Sequence, residues 1–153
     1  MKKILYVLLH GTSSADRYFN IKETWGKDVD CLFCSDYEDI ERGIMKFSND
    51  TSYGSNEEKH VNAIKHLSDN VDDYEWFFLC DDDTFVNTKK LEGMLYTFDK
   101  ELIHGQSILG CWHTDKTLDY CSGGAGYLIH NELIKIIGKN IKVLGTGLSL
   151  IHI

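Results

Sequence analysis

The sequence predicts an α/β fold built on a mostly parallel central sheet. Short apolar runs of strand length alternate with helical patterns along the chain, and polar loops follow the apolar runs. The first run, residues 4–9, is almost continuously apolar, as is typical of a parallel strand covered on both faces. The 153 residues are enough for one domain with a substantial core.

The first half of the chain begins with the strand at residues 4–9, which is too short for a signal peptide and lacks a small-residue cleavage site. A loop follows, and then a helix over residues 16–25 with Asp16 as its N-cap. Residues 29–34 form a second strand, and the polar residues 48–57 form a loop.

The second half continues the same alternation. An amphipathic helix is expected over residues 57–71, because apolar residues recur there at helical spacing: Val61, Ile64, Leu67 and Val71. Residues 74–80 form the third strand, and Asn87 or Thr88 caps a helix that runs to Phe98. Further strands or extended segments are expected at 107–113 and 121–129. A last helix has Asn131 as its N-cap and Gly138 just past its end.

Composition excludes several classes of function. A net charge of −8 argues against a general nucleic-acid binder and against binding to anionic membranes. No stretch approaches the roughly 20 apolar residues of a membrane span, so no membrane segment is expected in this chain.

The cysteines do not predict a zinc site. Cys31 and Cys34 lie in a predicted strand, where residues three apart point to opposite faces. The sequence is consistent with a disulfide between Cys111 and Cys121 and equally with two free thiols.

Three adjacent aspartates, residues 81–83, directly follow the buried third strand. Two carboxylates about 5 Å apart repel by roughly 3 kcal/mol at an effective dielectric near 20, so solvent, a basic partner or a cation must offset the repulsion. Alternation along the chain places Asp81 and Asp83 on one side and Asp82 on the other. The pair suits Mg²⁺ or Mn²⁺, and a solvated turn is the alternative.

Other polar groups converge on the same edge of the sheet. In parallel sheets ligands bind at the carboxyl ends of the strands, where the loops after the first two strands also lie. Arg17 is placed to meet an anionic ligand. The glycine cluster at 122–126 lets the backbone approach a ligand closely, or makes a tight bend between strands. It is neither a P-loop nor a dinucleotide fingerprint.

A haloacid-dehalogenase phosphatase is a weaker alternative. That class needs Asp81 and Asp83 followed by Thr or Val at position 85, where this chain has Phe85. Such enzymes also usually place the aspartate strand first, whereas here it is predicted to come third.

Four motifs stand in a recognisable order: Arg17 with Ile21 and residues 24–26, then Lys59, then residues 76–86, then residues 120–127. Together they resemble glycosyltransferase family 31, and within it the fringe and core-1 β1,3-galactosyltransferase group. The resemblance runs from about residue 4 to about residue 140. It implies a GT-A fold, the nucleotide-diphosphosugar transferase fold.

The resemblance also implies a site. Asp83 would be the direct ligand of Mn²⁺, with Mg²⁺ as the alternative, and Asp81 would belong to the same metal set. Asp81 and Asp82 would contact the ribose or metal-bound water. The other implied donor-binding residues are Gly11, Thr12 and Arg17 at the uridine diphosphate, Asp36 near the uracil, and Gly123 and Gly124 beside the donor sugar.

The implied activity is inverting transfer of a hexose from a UDP-sugar donor to a hydroxyl of a glycan or glycoprotein acceptor, forming a β1,3 linkage. Relatives that carry an N-terminal anchor reside in the Golgi or secretory lumen. The alternative is a non-catalytic module that binds a sugar nucleotide.

The chain departs from the family near its end. Relatives carry the catalytic base in an acidic pair after the helix that follows the glycine loop, and no such pair is found here. His152 does not stand in the context of the family's later histidine ligand. Residues 148–153, LSLIHI, resemble the translation of a transposon-derived sequencing adapter. We therefore expect a partial GT-A domain at 1–147, with a sheet incomplete at the C-terminus and no transfer activity of its own.

Overall fold

The computed structural model describes residues 2–109, 119–121 and 123–142. Within these ranges six strands form one sheet, in the order β3-β2-β1-β4-β8-β5. Their bounds are β1 Lys2–Leu9, β2 Cys31–Ser35, β3 Ile44–Lys46, β4 Tyr74–Asp81, β5 His104–Gly105 and β8 Tyr127–His130. A separate pair consists of β6 Ser107–Leu109 and β7 Asp119–Cys121. The helices are α1 Arg17–Lys22, α2 Asn56–Asn70, α3 Thr88–Met94 and α4 Asn131–Asn140.

The sheet is mostly parallel, as the sequence predicts. β1 lies between β2 and β4 and is parallel to both, with Val7 opposite Leu32 on one side and Leu79 on the other. β3 extends the parallel part, whereas β8 is antiparallel to β4 and β5. Parallel neighbours bring the carboxyl ends of β1, β2 and β4 to one edge of the sheet.

Helices cover both faces of this sheet, which explains why β1 and β4 are apolar almost throughout. On one face α2 and α4 pack their buried side chains, Ile64, Leu67, Ile134 and Ile137, onto the sheet. On the other face α1 and α3 pack over a layer that includes Tyr6, Leu8, Trp76 and Phe78. No described helix has the length and apolar character needed to cross a membrane.

The strand position of the cysteines is confirmed. Cys34 belongs to the core layer under α2, and Cys31 packs against the layer on the opposite face. Both are free thiols. Cys111 lies outside the described residues, as do residues 143–153 with the LSLIHI segment.

Several predicted boundaries are wrong at the ends of elements. The first helix ends at Lys22 rather than at residue 25. Its N-cap is Asp16, as predicted, but the Asp16 side chain makes no capping hydrogen bond. The second strand begins at Cys31 rather than at residue 29. β3 was not predicted, because a strand of three residues on the sheet edge buries only Ile44 and shows no periodicity.

The cap predicted for the third helix is confirmed, since the Asn87 side chain accepts a hydrogen bond from the Lys90 amide at 3.0 Å. This helix ends at Met94, however, and a 3-10 turn at Leu95–Thr97 takes the place of its predicted last turn.

Both predicted ends of the last helix are wrong. His130 is the N-cap and accepts from the Glu132 amide, while Asn131 is the first helical residue and donates to the Tyr74 carbonyl at 2.8 Å. Gly138 lies inside α4 and not beyond it. A Cβ at this position would stand 2.4 Å from Cβ of Ser68, so the glycine allows α4 to approach α2 closely.

We expect Gly138→Ala to destabilise the protein by about 1–3 kcal/mol, because the added methyl group forces α4 away from α2. The matched control is Gly93→Ala in α3, where an added Cβ meets no atom within 4 Å. That variant should be neutral or gain up to about 1 kcal/mol from the higher helix propensity of alanine. Equal unfolding midpoints for the two variants in urea would contradict the close packing of α2 and α4.

Candidate functional site

A cleft of about 330 Å³ lies at the carboxyl ends of β1 and β4. The loop after β1 forms one wall with His10 and Gly11, and Arg17 follows from α1. The three aspartates at the end of β4, residues 81–83, form a second wall. Lys59 of α2 and the loop before this helix complete the lining.

The backbone at the end of β4 separates the three aspartates. Asp81 is the last strand residue, and the Asp82 amide still donates to the Leu9 carbonyl at 3.1 Å. A turn follows, in which the Thr84 amide donates to the Asp81 carbonyl at 3.2 Å. As a result Asp82 is buried, Asp81 is half-buried and Asp83 is exposed.

Asp82 is neutralised by the protein itself. Its Oδ1 accepts a hydrogen bond from Arg17 Nη1 at 2.6 Å, and its Oδ2 accepts one from Ser14 Oγ at 2.7 Å. His10 Nδ1 lies 2.8 Å from the same Oδ2. Burial alone would raise the pKa of Asp82, but the hydrogen bonds from His10, Ser14 and Arg17 outweigh burial and lower this pKa.

Asp81 and Asp83 are compensated much less. Within the described part of the chain, the Asp81 carboxylate accepts no hydrogen bond, and burial raises its pKa, with the charges of Asp83 and Asp82 adding to the effect. Asp83 has a side chain that is 62% exposed, and its nearest basic group is Arg17 Nη1 at 3.5 Å. Asp83 thus accepts one long hydrogen bond, from Arg17 Nη1, and the Asp81 carboxylate accepts none within the described residues, where Asp82 has three donors.

Oxygen donors of this kind fit a hard divalent cation, since a cation would favour the ionised form that burial of Asp81 disfavours. The described residues do not present a complete ligand set. Among residues 2–109, 119–121 and 123–142, no three His, Cys, Asp or Glu side chains gather as a metal site. Any such ion would need ligands from elsewhere, such as a bound diphosphate or water.

Asp36 follows β2 and holds the turn after β1. Its Oδ1 accepts from the Thr12 amide at 3.0 Å and from Thr12 Oγ1 at 2.6 Å, and its Oδ2 lies 3.5 Å from Lys59 Nζ. The Asp36 and Lys59 side chains are 0% and 3% exposed. Burial acts to raise the pKa of Asp36, but the Thr12 hydrogen bonds and the Lys59 charge outweigh it and lower this pKa. The Asp36 carboxylate is therefore occupied by the protein, and its contact with a uracil stays a prediction.

The glycine loop lies beside the aspartates. A Cβ at Gly124 would stand 3.5 Å from Asp81 Oδ2, and the Thr84 hydroxyl donates to the Gly124 carbonyl. Gly123 is less exposed than Gly124 and accepts from the Gly126 amide through its carbonyl. Gly126 has φ 83°, and a Cβ there would stand 2.4 Å from Cζ of Phe78, so only glycine fits this bend.

Sequence reasoning missed His10 and Ser14 as members of the site, and it gave no role to Lys59. The signal for His10 was available, because this residue directly follows β1 just as Asp82 follows β4. Ser14 and Lys59 carry no such signal, since only the packing of the loop after β1 and of α2 brings them to the cleft.

The fold and the site define a GT-A-like α/β protein with an acidic cleft at the carboxyl ends of its parallel strands. The chain belongs to the Fringe-like family, whose model matches residues 12–147. It is also similar to chondroitin sulfate synthase 3 of mouse and to chondroitin sulfate synthase 3 of human, at 33% identity over 88 residues in each comparison. These matches cover 52% of this chain and 10% of each relative, so the chain spans about a tenth of the length of these curated relatives. The predicted family and fold are confirmed.

We expect Asp36→Asn to destabilise the fold by about 3 kcal/mol at pH 7, because it leaves the buried Lys59 ammonium without its counter-charge. The pKa of Asp36 is lowered in the fold, so the stability it contributes is present above the ordinary carboxyl pKa of about 4 and is lost as the pH falls below it. The difference between the variant and the parent should therefore shrink below pH 4. Urea unfolding at several pH values measures this difference in the free energy of unfolding. A difference that stays constant from pH 7 to pH 3 would contradict the ion pair.

Proposed function

We propose that this chain is the donor-binding part of a glycosyltransferase that moves a sugar from a UDP-sugar to a hydroxyl of a glycan or glycoprotein. Membership of the Fringe-like family and the name of the similar synthases support the class of reaction. The observation that carries the proposal is the pair of weakly compensated carboxylates, Asp81 and Asp83, beside Arg17 in one cleft. We further propose that the transfer inverts the configuration at the anomeric carbon and forms a β1,3 linkage.

Asp81 and Asp83 are the residues that would hold Mn²⁺, or Mg²⁺ in its place. When bound, the ion would neutralise charge that develops on the departing diphosphate. The fit rests on oxygen donors at the cleft and on the half-buried Asp81, whose pKa is raised by burial and by the charges of Asp83 and Asp82. Asp82 is excluded from this role by its three protein donors.

Arg17 would bind the diphosphate. Its Nη1 is held by Asp82, and within the described residues its other guanidinium N–H groups make no hydrogen bond. A fixed guanidinium with free N–H groups is suited to phosphate oxygens. Gly11 and Gly124 would let the nucleotide and the donor sugar approach the backbone on either side of the aspartates.

Transfer with inversion also needs a base that takes the proton of the acceptor hydroxyl. In the described part of the chain, the aspartates after β4 are the only carboxylates that line the cleft. We therefore assign the base to no described residue. The same observation favours a second candidate, a module that binds the sugar nucleotide without catalysing transfer.

The proposal predicts that UDP binding depends on Mn²⁺ and on the cleft carboxylates. Asp83→Ala and Asp81→Ala should each weaken UDP binding in Mn²⁺ by at least about tenfold, because a metal ligand or a donor contact is lost. Isothermal calorimetry with and without Mn²⁺ measures this. The matched control is Asp69→Ala, an exposed aspartate near the distal end of α2, which should bind as the parent does.

Equal UDP affinity with and without Mn²⁺, together with an unchanged Asp83→Ala variant, would overturn the metal site. Transfer from a UDP-sugar then separates the two candidates. Product formation by a full-length protein supports the transferase, and tight binding with no product supports the binding module.

A further inference from the structure

His10 is a buried residue between the cleft and the core, and both of its ring nitrogens have partners. Its side chain is 0% exposed. Nδ1 lies 2.8 Å from Asp82 Oδ2, and Nε2 lies 3.0 Å from the Tyr37 hydroxyl. The His10 amide donates to the Cys34 carbonyl at 2.9 Å, and the Phe33 ring packs edge-on against the imidazole with the centroids 5.5 Å apart. The ring is therefore fixed in position and in rotation.

The direction of the hydrogen bonds follows from the chemistry of the partners. An ionised carboxylate only accepts, so His10 Nδ1 donates to Asp82. His10 Nε2 shares the second hydrogen bond with the Tyr37 hydroxyl, which can act as donor or as acceptor. Hydrogen bonds thus connect Tyr37, His10 and Asp82, and the Arg17 hydrogen bond joins them at the other carboxylate oxygen.

Asp82 is consequently held from both sides. Its Oδ2 is taken by His10 and Ser14, which leaves Oδ1 to face Arg17 at 2.6 Å. Arg17 needs such a partner, because it stands on a short helix and its side chain is 43% exposed. An exposed arginine loses much conformational freedom when it is fixed, and a buried, oriented carboxylate supplies that restraint before a ligand arrives.

We infer that His10 is a positioning residue, which fixes Asp82 so that Asp82 holds the Arg17 guanidinium over the cleft in the orientation that binds a diphosphate. The inference rests on the proposed function for the identity of the ligand. In this assignment the Asp82 carboxylate binds side chains of the protein itself. The family resemblance instead implies that Asp82 contacts the ribose or metal-bound water.

The first test observes Arg17 without any ligand. The sequence contains two arginines, Arg17 and Arg42, so the guanidinium NMR spectrum holds one signal set for each. In the parent, rotation of the Arg17 guanidinium should be slow, and in His10→Leu it should become fast. In His10→Asn it should stay slow, because the asparagine amide can replace Nδ1 as a donor to Asp82. Arg42, which pairs with Asp39 at 3.2 Å, is the internal reference and should not change.

The second test measures UDP affinity in Mn²⁺. His10→Leu should weaken binding about tenfold, as expected for loss of a charge-assisted hydrogen bond, and His10→Asn should restore most of it. In an Arg17→Ala background the further loss caused by His10→Leu should disappear, because both variants remove the same contact. A residue that only stabilises the fold would give additive losses instead.

Thermal unfolding verifies that each variant is folded. If His10→Leu does not fold, the nearly isosteric Asp82→Asn takes its place and should release Arg17 in the NMR experiment. Unchanged Arg17 rotation in the folded variant overturns the inference, whatever the affinity. A parent protein that binds no UDP but releases Arg17 on substitution overturns the proposed function and keeps the His10 assignment.

Discussion

The repulsion among three adjacent carboxylates at the end of β4 is the constraint on which the site depends. The protein meets it in a different way at each position. Asp82 is buried and receives hydrogen bonds from Arg17, His10 and Ser14, while Asp83 is turned towards solvent. Asp81 is half-buried with a raised pKa and has no hydrogen-bond donor within the described residues. The unbalanced charge is thus concentrated on the side of the cleft where a cation would bind.

The scaffold makes this division possible because β1 lies directly beside β4. The register places Leu9 opposite Asp81, so the loop that begins at His10 runs alongside the aspartates. β2 lies on the other side of β1, and Asp36, which directly follows β2, contacts the same loop. Lys59 of α2 pairs with Asp36 there. The buried Asp36–Lys59 pair fixes the turn at Thr12, which in turn sets the path of the chain towards Arg17.

Much of this could be predicted from sequence, because it depends on local patterns. The apolar runs located β1 and β4, and the helical spacing of Ile64 and Leu67 located α2. The placement of Arg17 beside the aspartates followed from the rule that parallel strands share a carboxyl edge. Gly138 shows the limit of local reasoning: a glycine near a helix end usually marks the cap, but here contact with Ser68 decides its place inside α4. For His10, its place directly after β1 indicates the site, but its role depends on Tyr37 and Asp82, residues far from it in sequence.

We propose that the cleft carboxylates hold a divalent cation together with a nucleotide diphosphate. Thermal unfolding with Mn²⁺ alone, UDP alone and both together tests it most directly, because a ligand that binds only the folded state raises the melting temperature. We expect the two together to raise the melting temperature by more than the sum of their separate effects, since each supplies ligands or charge that the other needs. Equal shifts with UDP alone and with UDP plus Mn²⁺, or no shift in either case, would contradict it.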